Sequence, residues 1–388
     1  MSPTSTIGHR FIIEEPSTVM RRSPKLLLFF LILVFGITFP LWPNSPLKVV
    51  SISFHGYGTN YYKHLRLDEL TNNLAKYRNR MNLFHQIFSR DDPNHLVSLK
   101  APHPSTEPGI MFVQTSDELN PSPLAKCAVE SAARRNPNKT VYYFMKGFNG
   151  NISAYQKPEF NAIPLLSSIP NVVILPLNLD ELFSSTRLAD WYKEVDPDME
   201  EYWIYVLSDA CRIALLWKYG GIYLDTDVIS LKPLEFQNFI CAQSENGANG
   251  AALGFTRSHS FTEMCLTDYV ENYDGEAWGH QGPDLMTRML KKWCETDNLD
   301  NFLDKECKGI LYLSSNWFYP IPYTNWEKYF ERDRWNKNDI ENEFSKTSGA
   351  HIWNFLSGHY ETQIKGSLSL MEYFFSKYCP STYKSLPK

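Results

Sequence analysis

Leu207–Ser230 reads LSDACRIALLWKYGGIYLDTDVIS, and this stretch decides most of what the sequence predicts about the fold. Its first half has apolar residues at helical spacing, with Ser208 as the predicted N-cap of a helix. Gly220–Gly221 ends that helix, because glycine readily takes the positive φ that a C-terminal cap requires. Ile222–Leu224 is then predicted to be a short buried strand that delivers the acidic triplet Asp225–Asp227.

The acidic triplet predicts a metal site. Side chains two residues apart on a strand leave the same face, so Asp225 and Asp227 are predicted to converge while Thr226 points away. Converging carboxylates repel unless a cation lies near them, and a hard divalent ion would also bind the oxygens of a diphosphate. Asp209 and Arg212 share a helix face and are predicted to hold hydroxyl groups near the metal. The alternative is a metal-free acidic turn beside a surface ion pair, because short motifs have a high false-positive risk.

The chain around this stretch alternates between strand and helix patterns. Strands are predicted at Ile110–Thr115, Thr140–Met145 and Asn171–Pro176, and a helix capped by Ser122 is predicted to run through Arg135. This alternation predicts an α/β domain with a mainly parallel central sheet, which binds ligands beyond the carboxyl ends of its strands. The later predicted elements are a strand at Gly250–Phe255, helices at Phe261–Tyr273 and from about Asp284, a strand at Ala350–Trp353 and a closing helix at Ser367–Tyr378.

Two other segments contain candidate site residues. Thr115 and Ser116 end the first strand and are candidate nucleotide contacts, although an ordinary strand-ending turn explains them equally well. The loop WGHQGP and the residue after it contain His280, Gln281 and Asp284, which could line a cleft. The alternative is a buried turn in which the tryptophan and histidine of this loop are core aromatics.

The N-terminal region has the pattern of a membrane anchor. Arg21, Arg22 and Lys25 precede the uncharged apolar run Leu26–Trp42, which predicts a type II signal anchor with a cytoplasmic N-terminus. A cleaved signal peptide is the competing interpretation. The predicted organisation is a tail at 1–25, a single transmembrane helix at 26–42, a stem without sustained periodicity at 43–108, a nucleotide-sugar-binding part at 109–235 and an acceptor-side part at 236–388.

Composition excludes one class of partner and leaves another open. A net charge of -5 provides no basic footprint, so nucleic acid is not expected as a partner. An aromatic content of 14% suits a protein that stacks sugars or meets a lipid headgroup, and a large aromatic core explains it equally well.

The cysteines and sequons are informative if the domain is lumenal. Cys294 and Cys307 bracket a polar loop and are predicted to form a disulfide. Cys211 lies inside the predicted helix and is the candidate for an unpaired thiol among the seven cysteines. Asn138 and Asn151 begin N-glycosylation sequons, each of which could go unused.

The helix, glycine pair, strand and acidic triplet together resemble a known family. The string S-D-A-x-R-I-A-L-L-W-K-Y-G-G-I-Y-L-D-T-D is similar to the DxD signature of the α1,4-glycosyltransferases, which use nucleotide sugars and retain anomeric configuration. The resemblance runs from about Ile110 to Cys379 and includes LADWY, WGHQGP, FYPIP and HIWN. It implies a GT-A-like domain, a UDP-sugar donor, Mn²⁺ or another divalent cation as cofactor, and a location in the Golgi membrane.

The resemblance also implies roles for individual residues. Asp225 and Asp227 are expected to be catalytic and to bind the metal, with His351 as a further ligand. A lone histidine is more often a core residue, and only the resemblance raises this expectation. Gln281 and Asp284 are further candidates for catalytic groups. The residues expected to contact substrate are Thr115, Ser116, Asp209, Arg212, Tyr223, Asn249, Gly250 and His280.

The expected activity is transfer of galactose or N-acetylgalactosamine from a UDP-sugar, in α1,4 linkage, to a glycosphingolipid. The first alternative is an α1,4-N-acetylglucosaminyltransferase that acts on glycoprotein O-glycans. The second is a non-catalytic carbohydrate-binding partner in a homo- or hetero-oligomer of Golgi glycosyltransferases, because fold does not determine function. A secreted hydrolase with paired carboxylates is a third alternative, and it would need no nucleotide.

Overall fold

The described residues fall in two units of the chain. The computed structural model describes residues 49–56, 59–66, 108–155, 160–358 and 364–387, and the chain divides into units at 1–99 and 100–388. In the first unit, β1 (Val49–Gly56) and β2 (Thr59–Arg66) form an antiparallel hairpin within the predicted stem, whose sequence lacks sustained periodicity. The predicted anchor Leu26–Trp42 lies outside the described residues. Within the described ranges, every helix is too short or too polar to cross a membrane.

The second unit contains an α/β domain. Its strands are β3 (Ile110–Gln114), β4 (Val141–Met145), β5 (Val172–Pro176), β6 (Gly221–Leu224), β7 (Val228–Ser230), β8 (Phe239–Ser244), β9 (Gly247–Phe255), β10 (Lys305–Cys307), β11 (Ile310–Leu313) and β12 (Gly349–His351). Its α-helices are α1 (Pro123–Arg135), α2 (Ala162–Ser167), α3 (Leu179–Phe183), α4 (Leu188–Glu194), α5 (Trp203–Tyr219), α6 (Ser260–Glu271), α7 (Pro283–Cys294), α8 (Lys337–Glu343), α9 (Asn354–Ser357), α10 (Leu370–Tyr378) and α11 (Pro380–Ser385). Short 3-10 helices lie at Ile152–Tyr155, Leu299–Phe302, Ser315–Trp317 and Tyr323–Tyr329.

The central sheet is mixed and mainly parallel. Its eight described strands follow the order β10-β11-β8-β9-β6-β3-β4-β5. The pairs β11–β8, β6–β3, β3–β4 and β4–β5 are parallel, and the pairs that β9 makes with β6 and β8 are antiparallel. The alternation of strands and helices therefore predicted the parallel half correctly. It did not predict that the chain reverses after the acidic triplet and adds antiparallel strands.

Two apolar layers cover the faces of the sheet. On β3, Ile110 and Phe112 enter one layer while Met111 and Val113 enter the other, as the two-residue period of a strand requires. Helices α1 and α10 contribute to the first layer, and α5, α6 and α7 contribute to the second. Full burial of one such side chain contributes about 2 kcal/mol, so the two layers together hold the sheet in its order.

Local signals decide the helix ends near the site. Ser122 caps α1 by accepting a hydrogen bond from the Ala125 N–H, as predicted. Gly220 ends α5 with a φ of 68°, also as predicted. The predicted N-cap at Ser208 is wrong, because α5 begins at Trp203 and its N-cap is Tyr202. The hydroxyl of Ser208 instead lies 3.3 Å from the Tyr223 hydroxyl.

The described part of the chain contains two disulfides. Cys294 pairs with Cys307, which confirms the prediction. Cys127 in α1 pairs with Cys379 before α11, across 252 residues of sequence. Cys211 is a buried free thiol as predicted, and the other two buried free thiols are Cys241 and Cys265.

The two sequons lie on the surface of the domain. Asn138 and Asn151 are both exposed, as attachment of a glycan requires. Their modification stays a prediction.

Candidate functional site

The acidic triplet forms a tight turn between β6 and β7. The Val228 N–H donates to the Asp225 carbonyl at 3.0 Å, and this turn brings the carboxylates of Asp225 and Asp227 together. The predicted convergence is therefore correct. Its predicted cause, alternation along a strand, is wrong, because β6 ends at Leu224.

His351 reaches this turn through a small antiparallel ribbon. Strand β12 pairs with β7, which places His351 opposite Val228. The His351 Nε2 lies 3.3 Å from Asp227 Oδ1, and the other carboxylate oxygen of Asp227 accepts the Asn354 N–H at 2.9 Å. The carboxylates of Asp225 and Asp227 and a ring nitrogen of His351 all lie within 4.8 Å of one another.

These three residues fit a divalent metal ion. Two carboxylates and one imidazole form a donor set that binds first-row divalent cations. Burial raises the pKa of Asp227, His351 opposes this shift, and the neighbouring charge of Asp225 adds to it. A cation between the carboxylates would relieve this repulsion. The Nε2 of His351 is the ring nitrogen that faces Asp227, while its Nδ1 is buried and has no hydrogen-bond partner among the described residues.

A buried charge network joins helix α5 to the acidic turn. The Arg212 Nη2 lies 2.9 Å from Asp209 Oδ1 and 3.2 Å from Asp225 Oδ1. The Tyr223 hydroxyl donates to the same oxygen of Asp225 at 2.7 Å, and the Arg212 guanidinium lies over the Tyr223 ring. The structure thus brings together four residues for which the resemblance implied contact with the metal, the donor sugar or the nucleotide.

Burial and charge determine the protonation of this network. Burial raises the pKa of Asp209 to about 6, although the Arg212 charge opposes the shift. Burial alone would lower the pKa of Arg212. The negative charges of Asp225 and Asp209 have the larger effect and hold the pKa of Arg212 above its usual value. The Arg212 Nε is buried and lacks a partner among the described residues, so the guanidinium has a donor left for a ligand.

Glycine backbones form two walls beside this network. A Cβ at Gly250 would lie 2.8 Å from Arg212 Nη1, and a Cβ at Gly282 would lie 2.8 Å from Asp209 Oδ2. Strand β9 and the start of α7 therefore approach the ion pair closely. Asn249 is occupied within the sheet, because its Oδ1 accepts the Ala251 N–H at 2.8 Å and its Nδ2 donates to Gln243 at 2.5 Å.

The WGHQGP loop is only partly buried. Gln281 donates from its amide to the Tyr269 carbonyl at 2.7 Å, and its Oε1 is buried without a partner in the described part of the chain. The His280 Nε2 lies 2.9 Å from the Asn272 carbonyl, and Asp284 is exposed in the first turn of α7. Trp278 is 47% exposed, so its interpretation as a core aromatic is wrong. The roles predicted for His280, Gln281 and Asp284 stay predictions.

The end of β3 is tied to the start of α5. Thr115 is buried and donates from its hydroxyl to the Ile204 carbonyl at 2.9 Å. The Ser116 hydroxyl accepts a hydrogen bond from the Gln114 side chain at 2.6 Å. These hydrogen bonds fix the end of the strand. The nucleotide contacts predicted for Thr115 and Ser116 stay predictions.

Residues beside His351 complete the site and were missed by sequence reasoning. Trp353 has a φ of 58°, which is a strained conformation for a bulky side chain. Its indole nitrogen donates to the Ile321 carbonyl at 2.8 Å, and its ring packs edge-on against His351 at 4.3 Å. The Tyr319 ring packs against the His351 ring at 5.3 Å and against the Trp353 ring at 5.5 Å. The HIWN and FYPIP motifs contain these residues and were the available signal.

Comparison with known proteins agrees with this geometry. The sequence matches the glycosyltransferase sugar-binding region containing the DXD motif over residues 122–246 and the alpha 1,4-glycosyltransferase conserved region over residues 254–386. The human lactosylceramide 4-alpha-galactosyltransferase is 44% identical over 285 residues, covering 73% of this chain and 79% of the relative. The human alpha-1,4-N-acetylglucosaminyltransferase is 39% identical over 280 residues, covering 72% of this chain and 81% of the relative.

Among solved structures, the galactosyltransferase LgtC in complex with donor and acceptor sugar analogues matches at 13% identity with a TM-score of 0.37, covering 72% of this chain and 96% of that one. The family assignment depends on the sequence matches alone, which cover both the acidic turn and the strand with His351. The chain therefore belongs to the α1,4-glycosyltransferase family and is a glycosyltransferase.

Proposed function

We propose that this enzyme transfers galactose or N-acetylgalactosamine from a UDP-sugar, in α1,4 linkage and with retention, to a glycosphingolipid. The observation that carries the proposal is the junction of the Asp225, Asp227 and His351 group with the buried Asp209–Arg212 pair. A metal group alone would suit many enzymes. The guanidinium of Arg212 can donate hydrogen bonds to the hydroxyl groups of a donor sugar, and the Asp209 carboxylate beside it can accept hydrogen bonds from them. The 44% identity to a lactosylceramide 4-alpha-galactosyltransferase supports the choice of galactose and of a glycolipid acceptor.

The site residues would have three roles in the reaction: binding the metal, binding the donor sugar and orienting Asp225. Asp225, Asp227 and His351 would hold Mn²⁺, which when bound neutralises charge on the departing UDP. Arg212 would donate to donor-sugar hydroxyls, and Asp209 would accept from them. The hydrogen bond from the Tyr223 hydroxyl orients Asp225 before substrate arrives, and such preorganisation lowers the cost of reaching the transition state.

Retention would proceed by attack on the same face of the sugar, assisted by the leaving phosphate. The exposure of Asp284 to solvent supports this choice over Asp284 as an enzyme nucleophile. The alternative nucleophile is the Oε1 of Gln281, which is buried and has no hydrogen-bond partner among the described residues. The domain core is GT-A-like in this proposal, with the donor at the carboxyl ends of β3 and β6.

The proposed location is the Golgi membrane, with the catalytic domain in the lumen. Arg21, Arg22 and Lys25 before Leu26–Trp42 support a type II anchor. Disulfides persist in oxidising compartments, so the two cystine bridges of the domain support a lumenal location.

A second candidate is an α1,4-N-acetylglucosaminyltransferase that acts on glycoprotein O-glycans. Its support is the 39% identical human relative of that name. N-acetylglucosamine differs from N-acetylgalactosamine in the configuration at C4, and from galactose in that configuration and in the C2 acetamido group. The shape of the pocket near Gly250 would decide between these donors.

The test uses the full-length protein in detergent with UDP-galactose, UDP-N-acetylgalactosamine and UDP-N-acetylglucosamine, each with Mn²⁺. We expect slow donor hydrolysis and transfer to lactosylceramide with one of the first two donors. Turnover only with UDP-N-acetylglucosamine and an O-glycan acceptor would favour the second candidate. Binding of UDP by calorimetry without turnover of any donor would contradict both and indicate a carbohydrate-binding partner.

A further inference from the structure

Three exposed aromatic side chains form a continuous surface, which we name the aromatic platform. Its members are Tyr205, Trp278 and Phe355, which are 46%, 47% and 57% exposed. The Trp278 and Phe355 rings stack at 4.2 Å, and the Tyr205 ring meets them edge-on at 5.0 and 5.6 Å. Exposed apolar surface of this kind marks an interaction site more often than a single exposed ring does.

Each ring belongs to a segment that also holds the acidic site. Tyr205 lies one helical turn before Asp209 on α5, so the two side chains share a helix face. Phe355 directly follows Asn354, whose N–H donates to Asp227. Burial raises the pKa of Tyr205, and the negative charge of Asp227 adds to this shift, which agrees with the position of Tyr205 near the acidic turn.

Trp278 makes the third connection. It begins the loop that ends at Gly282, where the backbone packs against the Asp209 carboxylate. The platform is therefore fixed relative to the acidic turn by α5, by the loop before α7 and by the start of α9. Rings on rigid supports lose little conformational entropy when a ligand stacks on them.

The rim of the platform is acidic. The Tyr202 ring packs on Trp278 at 5.1 Å, and Glu201 precedes Tyr202 in the chain. The Glu200 carboxylate lies against the Gly275 backbone, so the acidic segment 196–201 meets the acidic segment 274–276. Burial raises the pKa of Glu200, and the charges of Glu276, Asp274 and Asp196 add to this shift. The acidic residues of these segments are Asp196, Asp198, Glu200, Glu201, Asp274 and Glu276.

We propose that the aromatic platform is the acceptor subsite, where the C–H face of an uncharged sugar stacks, and that the acidic rim disfavours acceptors that carry sialic acid or sulfate. This inference rests on the proposed function. Stacked rings suit the apolar face of a pyranose, and their position beside the acidic turn suits the sugar that receives the transferred residue. An anionic bilayer surface fits less well, because the rim carries the same sign of charge.

The first test compares Trp278→Ala and Phe355→Ala with the wild-type full-length protein. Acceptor KM is measured with a soluble neutral oligosaccharide and with the same headgroup on a lipid in phosphatidylcholine vesicles. We expect a rise of about tenfold for both acceptors, with donor KM and acceptor-free donor hydrolysis within twofold of wild type. Phe355→Tyr, which keeps the ring, should restore most of the affinity.

Leu368→Ala is the matched control, since this side chain is 53% exposed and lies outside the platform. A KM that rises only for the vesicle acceptor would overturn the sugar subsite and indicate a membrane contact instead. An unchanged KM for both acceptors would also overturn it. Absence of donor hydrolysis in the wild-type protein would instead contradict the proposed function, so the two failures are distinguishable.

The second test concerns the rim. Glu201→Gln with Glu276→Gln removes two exposed charges, and we expect kcat/KM for a sialylated acceptor to rise about two- to threefold per charge relative to the neutral acceptor. This gain should shrink at 1 M salt because of screening. Glu343→Gln, an exposed change in α8, is the control. An unchanged ratio of sialylated to neutral activity would overturn the role of the rim.

Discussion

At the scale of single residues, Asp227 has the most demanding position in the site. One carboxylate oxygen faces His351 Nε2 at 3.3 Å and the other accepts the Asn354 N–H at 2.9 Å. Asparagine has the same size and keeps an oxygen for the Asn354 N–H. The substitution therefore separates the charge of this side chain from its structural role.

We predict that Asp227→Asn keeps the fold and loses metal-supported UDP binding. Removal of one ligand charge weakens stabilisation of the departing UDP by several kcal/mol, which corresponds to a loss of at least about a hundredfold in kcat. Excess Mn²⁺ should rescue little. The measurements are transferase activity at saturating donor and metal, with Tm as the control for folding. Activity within a few-fold of wild type would rule out the metal assignment.

The second prediction at this scale concerns the pH dependence set by Asp209. Burial raises the pKa of this carboxyl to about 6, so its ionised form is lost as pH falls through that value. We expect kcat/KM for donor to decline below about pH 6, because protonation removes the ion pair with Arg212 and an acceptor for sugar hydroxyls. Folding raises this pKa from 3.8 to about 6. The ionised carboxylate therefore lowers the free energy of unfolding above pH 6, and this effect disappears as the pH falls to 3.8.

Asp209→Asn provides the control for this pH profile. The variant should have low activity with no decline centred near pH 6. If the decline persists unchanged in the variant, a group other than Asp209 is responsible for it.

At the scale of elements, the C-terminal helices are fixed to α1 by one buried carboxylate. Glu130 accepts hydrogen bonds from the Ser381 N–H at 2.9 Å and from the Thr382 N–H and hydroxyl at 2.7 and 2.8 Å. The Cys127–Cys379 disulfide ties the same two elements together. Burial raises the pKa of Glu130, but these hydrogen bonds outweigh burial and lower its pKa below the usual 4.5.

We predict that Glu130→Gln lowers the free energy of unfolding by about 2 kcal/mol at neutral pH, because hydrogen bonds to a charged acceptor are replaced by weaker ones. A lowered pKa means that the stabilisation is present above pH 4.5 and is lost as pH falls through the pKa of the folded state. The difference between variant and wild type should therefore narrow under strongly acidic conditions. Urea unfolding with the disulfides intact at neutral and acid pH measures this, and a constant difference would contradict the assignment.

At the scale of the whole molecule, the predicted N-terminal anchor accounts for the lumenal location that we propose for the catalytic domain. If the predicted anchor Leu26–Trp42 stays uncleaved in the bilayer, the protein should resist carbonate extraction. An endoglycosidase should remove glycans attached at Asn138 or Asn151, both of which are exposed. A mature N-terminus directly after Trp42 would show instead that the product is secreted.

The sequence by itself determined the features that depend on residues a few positions apart. Ser122 and Gly220 set helix ends through their own backbone bonds and dihedral angles, so local chemistry sufficed to predict them. The Cys294–Cys307 bridge closes a short loop, and spacing predicted it. The acidic triplet and its flanking helix also carried the family resemblance, which the sequence matches confirmed.

The tertiary structure alone decided the features that join distant parts of the chain. His351 meets Asp227 because β12 pairs with β7, and Cys127 meets Cys379 across 252 residues. The antiparallel strands β8 and β9 and the aromatic platform likewise follow from the order of the sheet and the helices that cover it. No periodicity within a short window contains this information, since pairing between strands depends on burial of two apolar layers by the whole domain. The sequence therefore predicted the chemistry of the site, and packing assembled the site.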